Sequence, residues 1–163
     1  LTGRADGGIV LGSTIPPQQL FQIGTLEGLT AYDYKQFGGD QAAVFQSEIG
    51  YQLPFLRSPL RLKSFWLPAV APELAVGVRS GWADASTAAA RAALVALGPR
   101  VNPSTDVPFA GTSASVPSDG FRTSLDFLVR GFGGALGIGA ARALDGRGPR
   151  PGWSTLIVFG SSI

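Results

Sequence analysis

The sequence predicts an all-β protein, and specifically an antiparallel transmembrane β-barrel. Three observations predict this class: a hydrophobic chain with few charges and no apolar run of helical length, repeated alternation of apolar and polar residues, and connections of two distinct lengths. Together they favour a sheet whose two faces meet different surroundings, one apolar and one wet.

The composition is typical of a protein whose surface is only partly in contact with water. Of its 163 residues, 45% are hydrophobic and only 15% are charged, which is few for a soluble surface. The apolar residues are interrupted by 23 Gly and 12 Pro, so the sequence lacks the run of about 18 apolar residues that a membrane-spanning helix needs. A hydrophobic but locally interrupted chain is typical of a membrane barrel, in which lipid-facing and lumen-facing residues alternate.

Residues 120–130 show the clearest alternation. Because successive side chains of a strand point to opposite faces, one face comprises Phe121, Thr123, Leu125, Phe127 and Val129. The other face comprises Arg122, Ser124, Asp126, Leu128 and Arg130. The first face suits lipid, and the second suits a water-filled lumen.

Residues 41–53 and 73–83 repeat this pattern, and the three segments together define two sets of side chains. The predicted lipid-facing residues are Phe45, Ile49, Leu74, Val76, Phe121, Leu125 and Phe127. The predicted lumen-facing residues are Gln46, Glu48, Arg79, Arg122, Asp126 and Arg130. Residues 8–15, 135–144 and 152–163 alternate more weakly and bring the prediction to about six strands.

The predicted connections differ in length, as they do in outer-membrane barrels with short turns on one side and long loops on the other. Residues 131–134 form a tight glycine turn, whereas residues 16–40 and 84–119 form long loops. Within the second loop, the Ala-rich residues 86–97 precede Gly98 and Pro99 and predict a short helix. We expect this helix to pack on the barrel mouth, with binding to a partner as the alternative.

The residue types that are missing exclude several classes of function. The chain has no His and no Cys, so it cannot build a Ser-His or Cys-His nucleophilic site or a usual zinc site. We therefore expect no enzyme activity, no cofactor and no metal. The net charge of +2 is scattered, which excludes the basic stripe of a nucleic-acid partner. The chain also lacks Met, so Leu1 is not a translational start and we expect a processed or partial chain.

Residues 24–43, GTLEGLTAYDYKQFGGDQAA, contain a recognisable motif. They resemble the loop G-x-L-R-G-(Y/F)…F-x-G-D-x-A-A of the bacterial surface antigen family in the BamA/TamA superfamily. The matched loop positions are Gly24, Leu26, Glu27, Gly28, Phe37, Gly39 and Asp40. The predicted strand behind the loop ends in Leu-Pro, as in that family, and residues 140–145 resemble the L-A-R-P-L end of its penultimate strand.

The resemblance implies that the chain forms about the last six strands of a sixteen-strand barrel. The family's loop arginine, which meets an acidic partner in the lumen, falls on Glu27, and its following aromatic falls on Leu29. A reversed pair of Glu27 with Arg79, Arg122 or Arg130 is the alternative. The family also tends to finish on an aromatic residue, whereas this chain finishes on Ile163.

The function implied by the resemblance is the insertion or translocation of proteins or lipids at the bacterial outer membrane, through a seam between first and last strands that opens laterally. The implied partners are outer-membrane lipid, the remaining barrel strands upstream or on another chain, and other envelope proteins. Two alternatives remain open: a barrel that anchors a patatin-like lipase, and a structural barrel component of a larger envelope complex.

Overall fold

The computed structural model describes residues 1–24, 28–55, 57–62, 65–67, 69–98, 114–146, 148 and 152–160. In this part of the chain the protein is mostly β, with a six-stranded antiparallel sheet and one short α-helix. The strands in chain order are β1 (Thr2–Ile9), β2 (Phe21–Ile23), β3 (Phe37–Gly39), β4 (Gln41–Gln52), β5 (Leu60–Leu62), β6 (Phe65–Leu67), β7 (Glu73–Asp84), β8 (Arg122–Gly131), β9 (Leu136–Ala143) and β10 (Ser154–Phe159).

The main sheet has the strand order β1-β4-β7-β8-β9-β10, and each neighbouring pair is antiparallel. Strands β2 and β3 form a separate two-stranded sheet, as do β5 and β6. The main sheet is not closed into a barrel, so β1 and β10 are its two edges. The predicted fold class is therefore confirmed as far as a mostly β protein with a six-stranded antiparallel sheet.

Five of the six predicted strands lie where alternation placed them. Residues 41–53, 73–83, 120–130, 135–144 and 152–163 correspond to β4, β7, β8, β9 and β10, although residues 161–163 lie outside the described part. The prediction for residues 8–15 was wrong, because the strand is Thr2–Ile9. Strand β1 is exposed along its whole length, so it presents no buried side that would produce alternation, and backbone pairing with β4 positions it instead.

The predicted helix is confirmed as α1 (Ala88–Leu97), which begins two residues later than expected. Thr87 caps it, since the Thr87 side chain accepts a hydrogen bond from the Ala90 N–H at 3.1 Å. The helix ends at Gly98, whose φ of 52° lies in the left-handed region. Residues 99–113 of the predicted long loop lie outside the described residues.

Helix α1 packs at one end of the sheet against the start of the other long connection. The buried apolar residues of this contact are Ile15, Leu20, Ala85, Ala90, Ala93 and Leu94. The helix is therefore part of the protein's core. No helix in the described part of the chain is long and apolar enough to cross a membrane.

The described residues of the segment 16–40 fold back across one face of the main sheet, which is hereafter called the inner face. Leu29, which is 0% exposed, and Phe37 pack there with Ala75, Leu128 and Leu156 of the sheet. The long loop predicted at residues 16–40 contains β2, β3 and a 3₁₀ turn at Pro17–Gln19. The opposite face, hereafter the outer face, carries no such cover in the described residues.

Candidate functional site

The register of the sheet places the polar inner-face residues in adjacent rows. Glu48 pairs with Gly77, and Gly77 pairs with Asp126, so the two carboxylates lie on either side of a glycine. A Cβ at Gly77 would lie 2.6 Å from Asp126 Oδ2. The glycine therefore makes room for the Asp126 side chain.

Two arginines link these carboxylates into one ionic network. Arg79 Nε donates to Asp126 Oδ1 at 3.0 Å, and its Nη1 donates to Gln46 Oε1 at 2.9 Å. Arg79 Nη2 lies 3.6 Å from Glu48 Oε2. Arg130 pairs with both oxygens of Glu48. Arg79, Glu48 and Asp126 are buried and Arg130 is half-buried, so removal of Arg79 would leave the buried Asp126 carboxylate without its ionic partner.

Asp126 is also the point at which the folded-back segment meets the sheet. Thr30 Oγ1 donates to Asp126 Oδ1 at 3.1 Å and lies 3.2 Å from Ser124 Oγ. All three side chains are buried. The second oxygen, Asp126 Oδ2, has no hydrogen-bond partner in the described part of the chain.

A second polar contact fixes the same segment near the start of β8. The Tyr32 hydroxyl donates to Asp145 Oδ1 at 2.6 Å, and Arg122 Nη1 donates to Asp145 Oδ2 at 3.1 Å. Arg122 Nε also donates to the Ser118 carbonyl oxygen at 2.6 Å. Burial and the contact with Asp145 raise the pKa of Tyr32, so the hydroxyl keeps its proton and remains a donor.

Gly39 and Asp40 of the loop motif have a clear local role. A Cβ at Gly39 would lie 1.9 Å from the Asp84 carbonyl oxygen, so only glycine fits. The Asp40 carboxylate, 1% exposed, accepts from the backbone N–H groups and the hydroxyls of Ser86 and Thr87 at 2.8–3.3 Å. It therefore holds the turn from which α1 begins.

The protonation of Asp40 follows from the same contacts. Burial raises the pKa of this carboxyl, but the hydrogen bonds donated by Ser86 and Thr87 outweigh burial and lower the pKa below its ordinary value. Asp40 is therefore ionised in the folded protein at neutral pH.

Two further motif glycines are explained by close backbone packing. A Cβ at Gly24 would lie 2.2 Å from the Asp33 carbonyl oxygen, and one at Gly28 would lie 2.5 Å from Val44 Cγ1. Gly28 also has a φ of 114°. Leu26 and Glu27 lie outside the described residues, so the reversed pair of Glu27 with an arginine stays a prediction.

The two predicted sets of strand residues lie on opposite faces of the sheet. The predicted lumen-facing residues all lie on the inner face and are buried or half-buried; they are Gln46, Glu48, Arg79, Arg122, Asp126 and Arg130. The predicted lipid-facing residues all lie on the outer face, exposed except for half-buried Leu125; they are Phe45, Ile49, Leu74, Val76, Phe121, Leu125 and Phe127. What surrounds each face in a cell stays a prediction.

Sequence reasoning missed the residues that join the folded-back segment to the sheet. Thr30, Tyr32 and Asp145 carry no pattern of their own, and their contacts depend on tertiary folding. The available signals were their positions, since Thr30 and Tyr32 lie in the matched stretch at residues 24–43 and Asp145 lies in the match at residues 140–145.

A cavity of about 560 Å³ opens on the inner face between β1, β4, β10 and the folded-back segment. Apolar side chains such as Phe21, Val44 and Leu156 line it together with Gln46 and Arg79. Within the described ranges, no group of three or more acidic residues could hold a metal ion. The inner face therefore carries a largely buried ionic network next to a partly apolar cavity.

Comparison of the chain with protein-family models, with curated proteins and with solved structures finds no match.

Proposed function

We propose that this chain is part of an outer-membrane β-barrel of the surface antigen type and supplies six strands of a larger ring. The main support for the proposal is the exposed apolar surface of the outer face. Its exposed side chains include Phe45, Ile49, Tyr51, Leu74, Val76, Val78, Phe121, Phe127, Val129, Ile138, Ile157 and Phe159. A soluble monomer rarely exposes so large a contiguous apolar surface.

The length of the strands also supports the proposal. Strands β4 and β7 each have 12 residues, and β8 has 10. A tilted strand needs about 9–11 residues to cross the hydrocarbon core of a bilayer. The central strands are therefore long enough to span a membrane.

The inner face has the polarity expected of a lumen. Its ionic network is shielded by the folded-back segment, which is anchored through Thr30 and Tyr32. A charged face of this kind would be costly against lipid, whereas it suits the interior of a barrel. The two faces together favour a wall with lipid on one side and protein or water on the other.

The two open edges of the sheet, β1 and β10, require further strands to pair with them in a membrane. In hydrocarbon, each unpaired backbone N–H or C=O costs several kcal/mol, so a lone open sheet is not viable in a membrane. We expect β1 to pair with strands upstream of residue 1, and β10 to pair with the first strand of the ring or with another chain. By resemblance, the completed ring inserts or translocates proteins or lipids.

The experiment that tests this proposal is refolding of the 163-residue chain alone in detergent, followed by far-UV circular dichroism and gel mobility with and without heating. The expected result is β-rich signal without a heat-modifiable monomer, because two edges remain unpaired. A folded, heat-modifiable monomer would contradict the proposal and indicate a small barrel that closes by itself.

A further inference from the structure

Arg142 is an isolated charge on the outer face. The described outer-face residues of the main sheet are otherwise uncharged except for Asp84, the last residue of β7. Arg142 is exposed and lies opposite Leu125 of β8. Among the described residues, no hydrogen bond or ion pair involves its guanidinium group. Its charge is therefore not neutralised by the described part of the chain.

Arg142 lies within the apolar surface of the outer face, because apolar side chains continue beyond it in both directions along the strands. The apolar residues beyond it are Leu144, Phe121 and Trp82 towards one end of the sheet, and Ile138, Val129 and Phe159 towards the other. The guanidinium group is therefore flanked by apolar residues and does not mark the edge of the apolar surface.

The distance from Arg142 to the nearer end of this surface exceeds the reach of its side chain. Phe121, at that end, lies four residues before Leu125, the register partner of Arg142. Four residues span about 14 Å of an antiparallel strand, or about 10 Å of depth for a strand tilted by about 45°. This depth is greater than the length of an arginine side chain, so snorkelling to the headgroups does not take the charge out of the apolar region.

Three small polar side chains lie near Arg142 on the outer face. Ser47 lies in the same register row as Arg142, with one apolar residue each of β7 and β8 between them. In the next row, Ser80 Oγ lies 3.2 Å from Thr123 Oγ1. The four residues hereafter called the polar band are Ser47, Ser80, Thr123 and Arg142. Small and hydroxyl-bearing residues are typical of contacts between membrane-spanning segments, since they permit close approach and hydrogen bonding.

We propose that the polar band is the interface for a membrane-spanning segment of another protein, and that this segment presents a carboxylate to Arg142. The inference rests on the proposed membrane function. An unpaired arginine is costly on the lipid face of a barrel away from the interfaces, and ionisable residues inside a membrane pair with one another. A lipid phosphate stays at headgroup depth, whereas a carboxylate on a spanning segment reaches the depth of Arg142. An acidic partner therefore complements this surface.

The test uses the completed ring in vesicles, with the strands that pair with β1 and β10 present. This chain has no cysteine of its own, so Ile138→Cys places one fluorescent donor on β9, four residues from Arg142 and on the same face. The acceptors are spanning peptides of about 20 leucine and alanine residues, with a central Asp, a central Asn or an Asp near one end. We expect energy transfer to show that the central-Asp peptide binds about tenfold more tightly than the central-Asn peptide.

Three variants of the ring assign this preference to a residue. Arg142→Gln should abolish the preference for the central Asp, since it removes the charge that the carboxylate meets. Arg142→Lys should keep most of it. Arg61→Gln is the matched control, because Arg61 is exposed in the β5–β6 hairpin, outside the main sheet, and it should leave the preference unchanged.

The stability of the ring gives a second measurement that needs no peptide. Arg142→Leu should raise the urea midpoint of unfolding in vesicles, because it removes an uncompensated charge from the lipid face. Arg61→Leu removes an exposed charge outside the main sheet and should leave the midpoint unchanged. An unchanged or lower midpoint for Arg142→Leu would overturn the inference, since lipid or water would then already satisfy the guanidinium group.

The remaining outcomes separate this inference from the proposed function. Equal binding of the three peptides, or a preference that survives Arg142→Gln, would overturn the partner interface. Tighter binding of the peptide with Asp near one end would also overturn it, because Arg142 would then lie at headgroup depth and lipid phosphate would be its partner. The membrane proposal survives each of these results if lipids with brominated acyl chains quench the fluorophore at Ile138→Cys. Absence of this quenching would overturn both proposals.

Discussion

Replacement of Val76 by arginine is expected to lower the free energy of unfolding in a lipid bilayer by about 2–4 kcal/mol, as for a charge on the lipid face of a barrel near the midplane. Val76 is exposed in β7, and its register neighbours Ile49 and Phe127 are exposed on either side. A guanidinium group there would be surrounded by apolar side chains and acyl chains.

The matched control for Val76→Arg is Val95→Arg on helix α1. Val95 is 82% exposed, and the helix packs at one end of the sheet, so the same change should alter stability by less than about 0.5 kcal/mol. Both variants are made in the completed ring, with the strands that pair with β1 and β10 present, and are measured by urea unfolding in vesicles. If the two substitutions have equal and small effects, the outer face meets water and the membrane proposal is wrong.

Replacement of Asp40 by asparagine is expected to lower the free energy of unfolding by about 1.5–3 kcal/mol at neutral pH, as for loss of hydrogen bonds to a buried charged group. The carboxylate accepts from both backbone N–H groups and both hydroxyls of Ser86 and Thr87. An amide has one acceptor oxygen, so its NH₂ group would face the backbone N–H of Ser86 or of Thr87.

The pH dependence of this loss follows from the lowered pKa of Asp40. The stabilising contribution is complete above the ordinary pKa of 3.8 and is lost as the pH falls through the lower pKa of the folded state. The difference between wild type and Asp40→Asn should therefore shrink below a pH of about 4. Asp84→Asn makes the same change at the neighbouring strand end, where the described residues place no hydrogen bond on the carboxylate, and should have little effect. If the stability difference between wild type and Asp40→Asn stays constant from neutral to acid pH, Asp40 does not stabilise the fold as an ionised carboxylate.

The strands that could be predicted are those with two unlike faces. Strand β7 alternates in burial over all 12 of its residues, because one side is covered on the inner face and the other is largely apolar and exposed. Strand β4 has a covered side only as far as Glu48, and its last four residues are exposed. Strand β1 could not be predicted, because its sequence TGRADGGI is exposed throughout. Its position depends on backbone hydrogen bonds to β4, and these cannot be recognised from the pattern of side chains.

The candidate site could be predicted only in part for a related reason. The inner-face charges follow from alternation, but the pairing of Arg79 with Asp126 depends on strand order and register. The motif drew attention to Asp40, yet its partners Ser86 and Thr87 lie 46 and 47 residues further along the chain. Thr30 became part of the site only through tertiary folding, and a single hydroxyl in a loop gives no signal in the sequence.

On our proposal, the outer face of the sheet meets lipid. This chain has no cysteine of its own, so in the completed ring in vesicles single cysteines at Leu74, Val76 and Val78 can each carry a nitroxide label, with a label at Val95 as the water-exposed reference. We predict that the three labels on β7 collide frequently with oxygen and rarely with a water-soluble nickel chelate, whereas the label at Val95 shows the reverse. Chelate accessibility on β7 equal to that at Val95 would contradict the claim.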